Sequence, residues 1–448
     1  MEHELKKTFF YSVISDAIFK FALTSLHKYA TIKPKEDFVF SPYSIYQELF
    51  SVYLISSGDI EQRLKNILYL PNVPKYEMIK NIKFNKYAAR HHKYPTNRPA
   101  EYEDTASCVP HYAIQNKCTF INTILRDDIE IIKKLYNLGF LSKKSNDIQD
   151  INRKITKVLE ILTKDNILKP LKLKVKTEDL DIILMNVHNF HGRNQLILKP
   201  IRSWSVDQLI SIIPMSSFLK FKTFSSDELQ VDVKELIIKK DFTSLYMLTP
   251  FSSITLNEKV ETDTSSTSLS SLIERLSTIE GMHVLRKLLS CKNEEKDKLP
   301  FVSTQLIFEI EKNLDMQVLL RELGVEQLLT PDAIPLDNTF AEDNQFVHFG
   351  NAVHRARVKV TEDNVTATAV TLISGQEPSS NDIISNMYLN YPFVWLIYDK
   401  MNADILYIGV FNKVDKNTGT LLNEINFSEW FHKQLYETYP SSSSRRST

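Results

Sequence analysis

Residues 346–371 constrain this chain more than any other stretch. They begin as a β-branched strand pattern around Val353–Val360 and end in Val365–Thr371, a run of small or β-branched residues with no charge. Such a run keeps strand propensity and carries nothing that opposes burial. About twenty residues of loop-like sequence follow before the next strong apolar block at Pro392–Ile397, and loops of that length inside a compact domain are normally functional. The fold must therefore accommodate a strand that leads into a long, tethered segment able to enter a sheet.

The whole 448-residue chain, 43% hydrophobic and 25% charged, has ample material for a core. Its 55 basic and 55 acidic residues cancel, so no global field points to nucleic acid or a membrane surface. Cys108, Cys118 and Cys291 form no metal-ligand spacing and cannot all pair, which fits a reducing compartment. Asp16 and Lys20 interrupt the apolar N-terminal stretch, and no small-residue cleavage pattern follows. The expectation is thus a cytoplasmic protein without a signal peptide, beginning with an amphipathic helix through Phe10, Val13, Ile14, Ala17, Ile18, Phe21 and Ala22. No apolar run is long enough to span a bilayer.

Further along, Phe38–Phe40 reads as a short strand ending at a helix start, with Ser41 as cap and Pro42 in the first turn. Another helix follows from Ser56-Ser57-Gly58-Asp59. Helical patterns recur at 125–139, 148–168, 270–290 and 315–329. Strands are expected at Leu180–His188, Ile210–Pro214, Leu229–Ile238, Ser244–Leu248, 300–310, Phe393–Asp399 and Ile405–Val410. Thr262–Ser271 reads as a Ser/Thr-rich loop. One domain over 1–414 is expected, followed by a partly disordered extension over 415–448.

Several blocks resemble the serpin family, in order, across about residues 9–414. Phe38–Ile45 resembles the family's hydrophobic-Ser-Pro block, Leu184–Val187 its third central strand, and Val353–Ala356 its fifth. Leu323-Gly324-Val325, Pro392–Trp395 and Ile405–Gly409 match later signatures. The resemblance implies an α+β serpin fold with three β-sheets, about nine helices and an exposed reactive-centre loop at about 364–389. It places Ser41, Ser44, Asn186 and His354 in the shutter beneath the central sheet. The hinge would comprise Glu362, Asn364, Val365, Thr366, Ala367, Thr368, Ala369, Val370 and Thr371. The chain departs from the family at Asn364 (for glycine), Val365 (for threonine), Thr366 (for glutamate) and Phe301, where many members carry a lysine that pairs with the hinge glutamate.

If the loop enters the sheet as a strand, side chains alternate, and Val365, Ala367, Ala369 and Thr371 form the inward set. All are uncharged. The resemblance then implies a protease inhibitor that works by loop cleavage and insertion, the alternative being a non-inhibitory, protein-binding or chaperone-like member. The partner would be a serine or cysteine protease. Family spacing puts the scissile bond within Gln376, Glu377, Pro378, Ser379, Ser380, Asn381 and Asp382, nominally at Pro378–Ser379, sliding toward Asn381–Asp382. Neither Lys nor Arg lies between Val365 and Tyr391. Lys83, Lys86, Arg90 and Lys93 could attract a polyanion, but Glu101, Glu103 and Asp104 follow directly and the run reads as solvated loop. No Gly-x-Ser-x-Gly, phosphate-cradling glycine loop or metalloprotease spacing occurs. A monomer without catalytic group, metal or cofactor is expected.

Overall fold

The computed structural model describes residues 2–75, 77–78, 111–120, 140–142, 153, 182–193, 197–198, 218–239, 243–251, 264–290, 301–304, 308–330, 334–335, 346–347, 352–361, 364–373, 383–385 and 392–412. The expected helices at 125–139 and 148–168 (residue 153 apart) and the strand at Ile210–Pro214 lie outside them.

Helix α1 (Glu2–Ile32) buries Ile14, Ala17, Ile18, Phe21 and Ala22, the stripe its spacing predicts. Ser41 caps α2 (Pro42–Ile55) by accepting the Ser44 N–H, with Pro42 in the first turn. Next comes α3 (Gly58–Ile67). Contrary to the loop reading of Thr262–Ser271, α4 (Thr264–Ser277) is helical there. Leu269, Leu272, Ile273 and Leu276 recur at helical spacing and are all buried, so packing overrides the weak helix propensity of Ser and Thr. The single helix expected to 290 breaks at Thr278, whose hydroxyl accepts the Gly281 N–H and so starts α5 (Ile279–Ser290). A Cβ on Gly281 would lie 1.8 Å from the Arg275 carbonyl oxygen, so only glycine fits this break. Asp315 caps α6 (Met316–Leu323), and Gly324, at φ +80°, ends it early.

In chain order the strands are β1 (Phe38–Phe40), β2 (His111–Phe120), β3 (Phe140–Ser142), β4 (Ile182–Arg193), β5 (Ile197–Leu198), β6 (Phe218–Ser226), β7 (Val231–Lys239), β8 (Thr243–Pro250) and β9 (Phe301–Thr304). Then follow β10 (Phe308–Leu314), β11 (Ile334–Pro335), β12 (Phe346–Val347), β13 (Ala352–Val360), β14 (Asn364–Ile373), β15 (Ile383–Ser385), β16 (Phe393–Asp399) and β17 (Asp404–Phe411). One sheet runs β1-β17-β16-β8-β7-β6-β5, with β9 also paired to β6. A second runs β15-β10-β13-β14-β4-β2-β3, and β11 pairs β12. The strand expected over 300–310 is therefore two strands in different sheets, and Phe301 sits opposite Lys222 rather than on β10.

Two apolar clusters hold these layers together. One gathers the helices on one side of the first sheet, from Phe21 and Leu49 to Leu272 and Leu319. The other lies between the two large sheets, where Phe190, Val358, Ala367 and Ala369 meet Phe221, Leu236, Ile238 and Trp395.

Candidate functional site

Strand β14 lies between β13 and β4, antiparallel to both over its whole length. Residues 364–373, expected as the start of an exposed loop, are thus sheet in this structure, and so are residues 383–385 within the same expected loop, paired to β10. For 364–373 the reason is a fit of side chains, row by row. On the face toward the other large sheet, Val365 lies between Val360 and Gly192, and Ala367 between Val358 and Phe190. Ala369 lies between Ala356 and His188, and Thr371 between His354 and Asn186. Large side chains on β4 face alanines on β14, whereas the bulkier Val365 faces a glycine. That glycine is fixed by the opposite sheet, since a Cβ on Gly192 would lie 2.2 Å from Ile238 Cγ2. All four inward residues are buried; on the other face Thr366 is half-buried while Thr368 and Val370 are buried as well.

At the lower end of this slot a buried polar cluster joins four elements. The Ser41 N–H donates to His354 Nε2 at 3.1 Å, so in the neutral ring the proton sits on Nδ1. That Nδ1–H faces Thr371 Oγ1 at 2.8 Å. Ser44 Oγ donates to Asn186 Oδ1 at 2.7 Å and therefore accepts from Thr371 Oγ1, also at 2.7 Å. Asn186 Nδ2 completes the chain by donating to Gln47 Oε1 at 2.7 Å. The bonds thus run in one direction, from β13 through β14 to α2 and β4, and Thr371 is the link between the histidine and the helix. Each donor from Ser41 to Asn186 has its acceptor, which makes this part of the cluster cooperative, while Gln47 Nε2 at its end is buried without a hydrogen bond.

A second imidazole flanks the same serine. Ser41 Oγ donates to the Leu406 carbonyl at 2.8 Å, so it accepts from His188 Nδ1 at 3.4 Å. His188 stacks on Tyr407 at 5.0 Å between centroids, and Tyr407 Oη donates to its carbonyl at 2.7 Å. His188 Nε2 makes no hydrogen bond. Burial holds both imidazoles neutral, pushing His188 and His354 from 6.5 down to about 3.

Ser41, Ser44, Asn186 and His354, singled out in the sequence, thus come together. Gln47, His188 and Thr371 were missed as partners. Two of them carried a local signal: Gln47 is one turn beyond Ser44 on α2, and His188 is two residues beyond Asn186 on the same face of β4. Thr371 required the pairing register. Glu362, residues 376–382, Lys83, Lys86, Arg90, Lys93 and the 415–448 extension lie outside the described residues. Among the described residues no group of three or more His, Cys, Asp or Glu side chains is placed to hold a metal, and no helix is long and apolar enough to cross a membrane.

Comparison with known proteins agrees with this architecture. The family model for Serpin (serine protease inhibitor) matches residues 16–414. Serine protease inhibitor 88Ea of Drosophila melanogaster is 22% identical over 405 residues, covering 87% of this chain and 88% of that protein. Human Serpin B3 is 23% identical over 412 residues, covering 89% of this chain and 99% of its own length. Among solved structures, cleaved Serpin 42Da aligns with a TM-score of 0.61 at 16% identity, covering 92% of this chain and 100% of that one. The chain belongs to the serpin family.

Proposed function

We propose that this protein inhibits proteases as a suicide substrate. The nucleophile of the target, a serine hydroxyl or cysteine thiol, attacks a loop carbonyl beyond β14. The amine of the following residue leaves, and an ester or thioester links loop to enzyme. Entry of residues 364–373 between β13 and β4 then carries the enzyme away before water can hydrolyse that bond. The loop-out form that meets the protease is metastable, held by a kinetic barrier. The observation that carries this reading is the row-by-row fit of an uncharged strand into the slot, closed by Thr371 in the polar cluster. By family spacing the cut falls within Gln376–Asp382.

A second reading has its own support: the uncut chain already holds β14 in the sheet, as suits a non-inhibitory binding protein. One experiment separates the two. The protein is incubated with serine and cysteine proteases of differing specificity, including enzymes selective for Asn or Asp. An SDS-stable adduct of the summed mass, with the loop cut between 376 and 382, supports inhibition. Cleavage without an adduct across the panel favours the binding reading.

A further inference from the structure

Strands β10 and β13 are joined by charged side chains as well as by their backbone. On the face turned away from the other large sheet, Arg355, Glu311, Arg357, Glu309 and Lys359 form an unbroken alternation of charge. Arg355 Nε donates to Glu311 Oε1 at 2.7 Å, and Arg357 Nε lies 3.7 Å from Glu311 Oε2. Arg357 also donates to Glu309 Oε1, and Lys359 Nζ lies 3.3 Å from Glu309 Oε2. Each carboxylate takes its direct cross-strand neighbour, Glu311 with Arg357 and Glu309 with Lys359, together with a diagonal one. Arg355 and Glu311 are buried, and only Lys359 reaches well into solvent.

The other edge of β13 is bonded differently. Beside Arg355, Arg357 and Lys359, β14 places Val370, Thr368 and Thr366, none of them charged. The Thr368 hydroxyl, buried there, makes no hydrogen bond. The ionic bonding of β13 to its described neighbours thus lies wholly on the β10 side.

We propose that this five-residue ladder bolts β13 to β10, so that the sheet parts only between β13 and β4 when the strand 364–373 enters or leaves. Charges in low-dielectric surroundings interact strongly, and each inner member has two opposite neighbours, so separating β10 from β13 would strip several charges at once. Withdrawing β14 strips none. A one-residue slip of β13 is equally barred, because it would turn the arginines into the apolar layer that Ala356 and Val358 occupy. The proposal deepens the inhibitor reading, since it names what confines the opening, yet it is tested without a target protease.

The test is amide hydrogen exchange, read peptide by peptide, on the intact protein and on two variants. In the parent, β10 peptides should exchange at least about tenfold more slowly than β14 peptides. Arg357→Met removes the central charge and Glu309→Gln, at a less buried position, is the milder change. Both should speed exchange in β10 by about tenfold or more while leaving β2 and the β6–β8 strands at parental rates. The ladder is refuted as a bolt if β10 and β14 exchange together in the parent. It is refuted equally if the variants leave β10 unchanged or accelerate every strand alike. A parent that forms no covalent adduct would overturn the inhibitor reading and leave this exchange pattern standing.

Discussion

Three threonines on one strand should respond to the same substitution with three different signs. In Thr371→Val the shape is kept and the hydroxyl lost. The Ser41 N–H occupies His354 Nε2, so the ring cannot escape by changing tautomer, and its Nδ1–H is left buried without an acceptor. Ser44 still donates to Asn186, so the damage is one orphaned donor. Such an orphan costs about 1–3 kcal/mol. Taking ~2 kcal/mol, and an unfolding entropy of ~2.1 cal/mol/K per residue over roughly 400 residues, Tm should fall by about 2 °C. Thr368→Val removes a buried hydroxyl that has no partner in the first place, so it should stabilise, by roughly 1 kcal/mol, with Tm up by about 1 °C. Thr366 is half-buried, and Thr366→Val should stay within about 0.5 kcal/mol of the parent. Differential scanning calorimetry of the four proteins, prepared identically, gives the order. If Thr371→Val melts with the parent, the role assigned to Thr371 in the hydrogen-bond chain is wrong; if Thr368→Val melts below the parent, the Thr368 hydroxyl is not an unpartnered group.

Other substitutions probe the slot and its histidines. Val365→Arg would bury a guanidinium between Val360 and Gly192 with no acceptor, at a cost of several kcal/mol; the loop should then be cut by a target protease without forming an SDS-stable adduct, and unchanged trapping would refute the inward assignment of this position. Gly192→Ala should cost about 1–3 kcal/mol through its contact with Ile238 Cγ2, and that added cost should shrink in an Ile238→Ala background, which lacks this methyl; urea unfolding of the single and double variants measures that coupling. His188 is held neutral in the fold, at about 3 against 6.5. Its unfolded form therefore takes up a proton as pH falls below 6.5, and the parent loses stability relative to His188→Phe until about pH 3. Between pH 6.5 and 5 that difference should change by ~2 kcal/mol, and a pH-independent difference would show that the imidazole is not held neutral.

Much of the strand content was legible because its signals are local. Val353–Val360 alternates apolar and charged residues over most of its length, Leu184–Val187 and Phe393–Asp399 lie in short apolar runs, and each became a strand. What failed was information that resides in pairing. The 300–310 stretch looks continuous, yet Phe301–Thr304 pairs with β6 while Phe308–Leu314 pairs with β13. Thr262–Ser271 looked like a loop because Ser and Thr dominate it, and only the burial of Leu269 against the core tells otherwise. In the polar cluster, four members could be named from their blocks. The meeting of Thr371 with His354 depends on a register that no single segment carries.

The departures at 364–366 make sense only in that register. Glycine is the family's residue at 364, but here Asn364 closes the turn from β13. Its N–H donates to Thr361 Oγ1 at 3.1 Å, and its carbonyl accepts the Thr361 N–H at 2.9 Å. The Thr361 hydroxyl lies 3.1 Å from that carbonyl and 3.2 Å from Asn364 Oδ1. An asparagine so bonded needs no glycine flexibility. Val365 brings extra volume to the row where β4 has Gly192, and alanines follow where β4 has Phe190 and His188. Volume is therefore conserved across rows rather than along the strand. A substitution in 365–371 should be judged against its neighbours on β4 and β13, not against the residue usual at that position. It follows that Ala369→Val, next to His188, should harm the inserted form more than Val365→Ile, next to Gly192. Each adds apolar bulk, but only the first adds it opposite a large β4 side chain, and urea unfolding of the two variants checks the order.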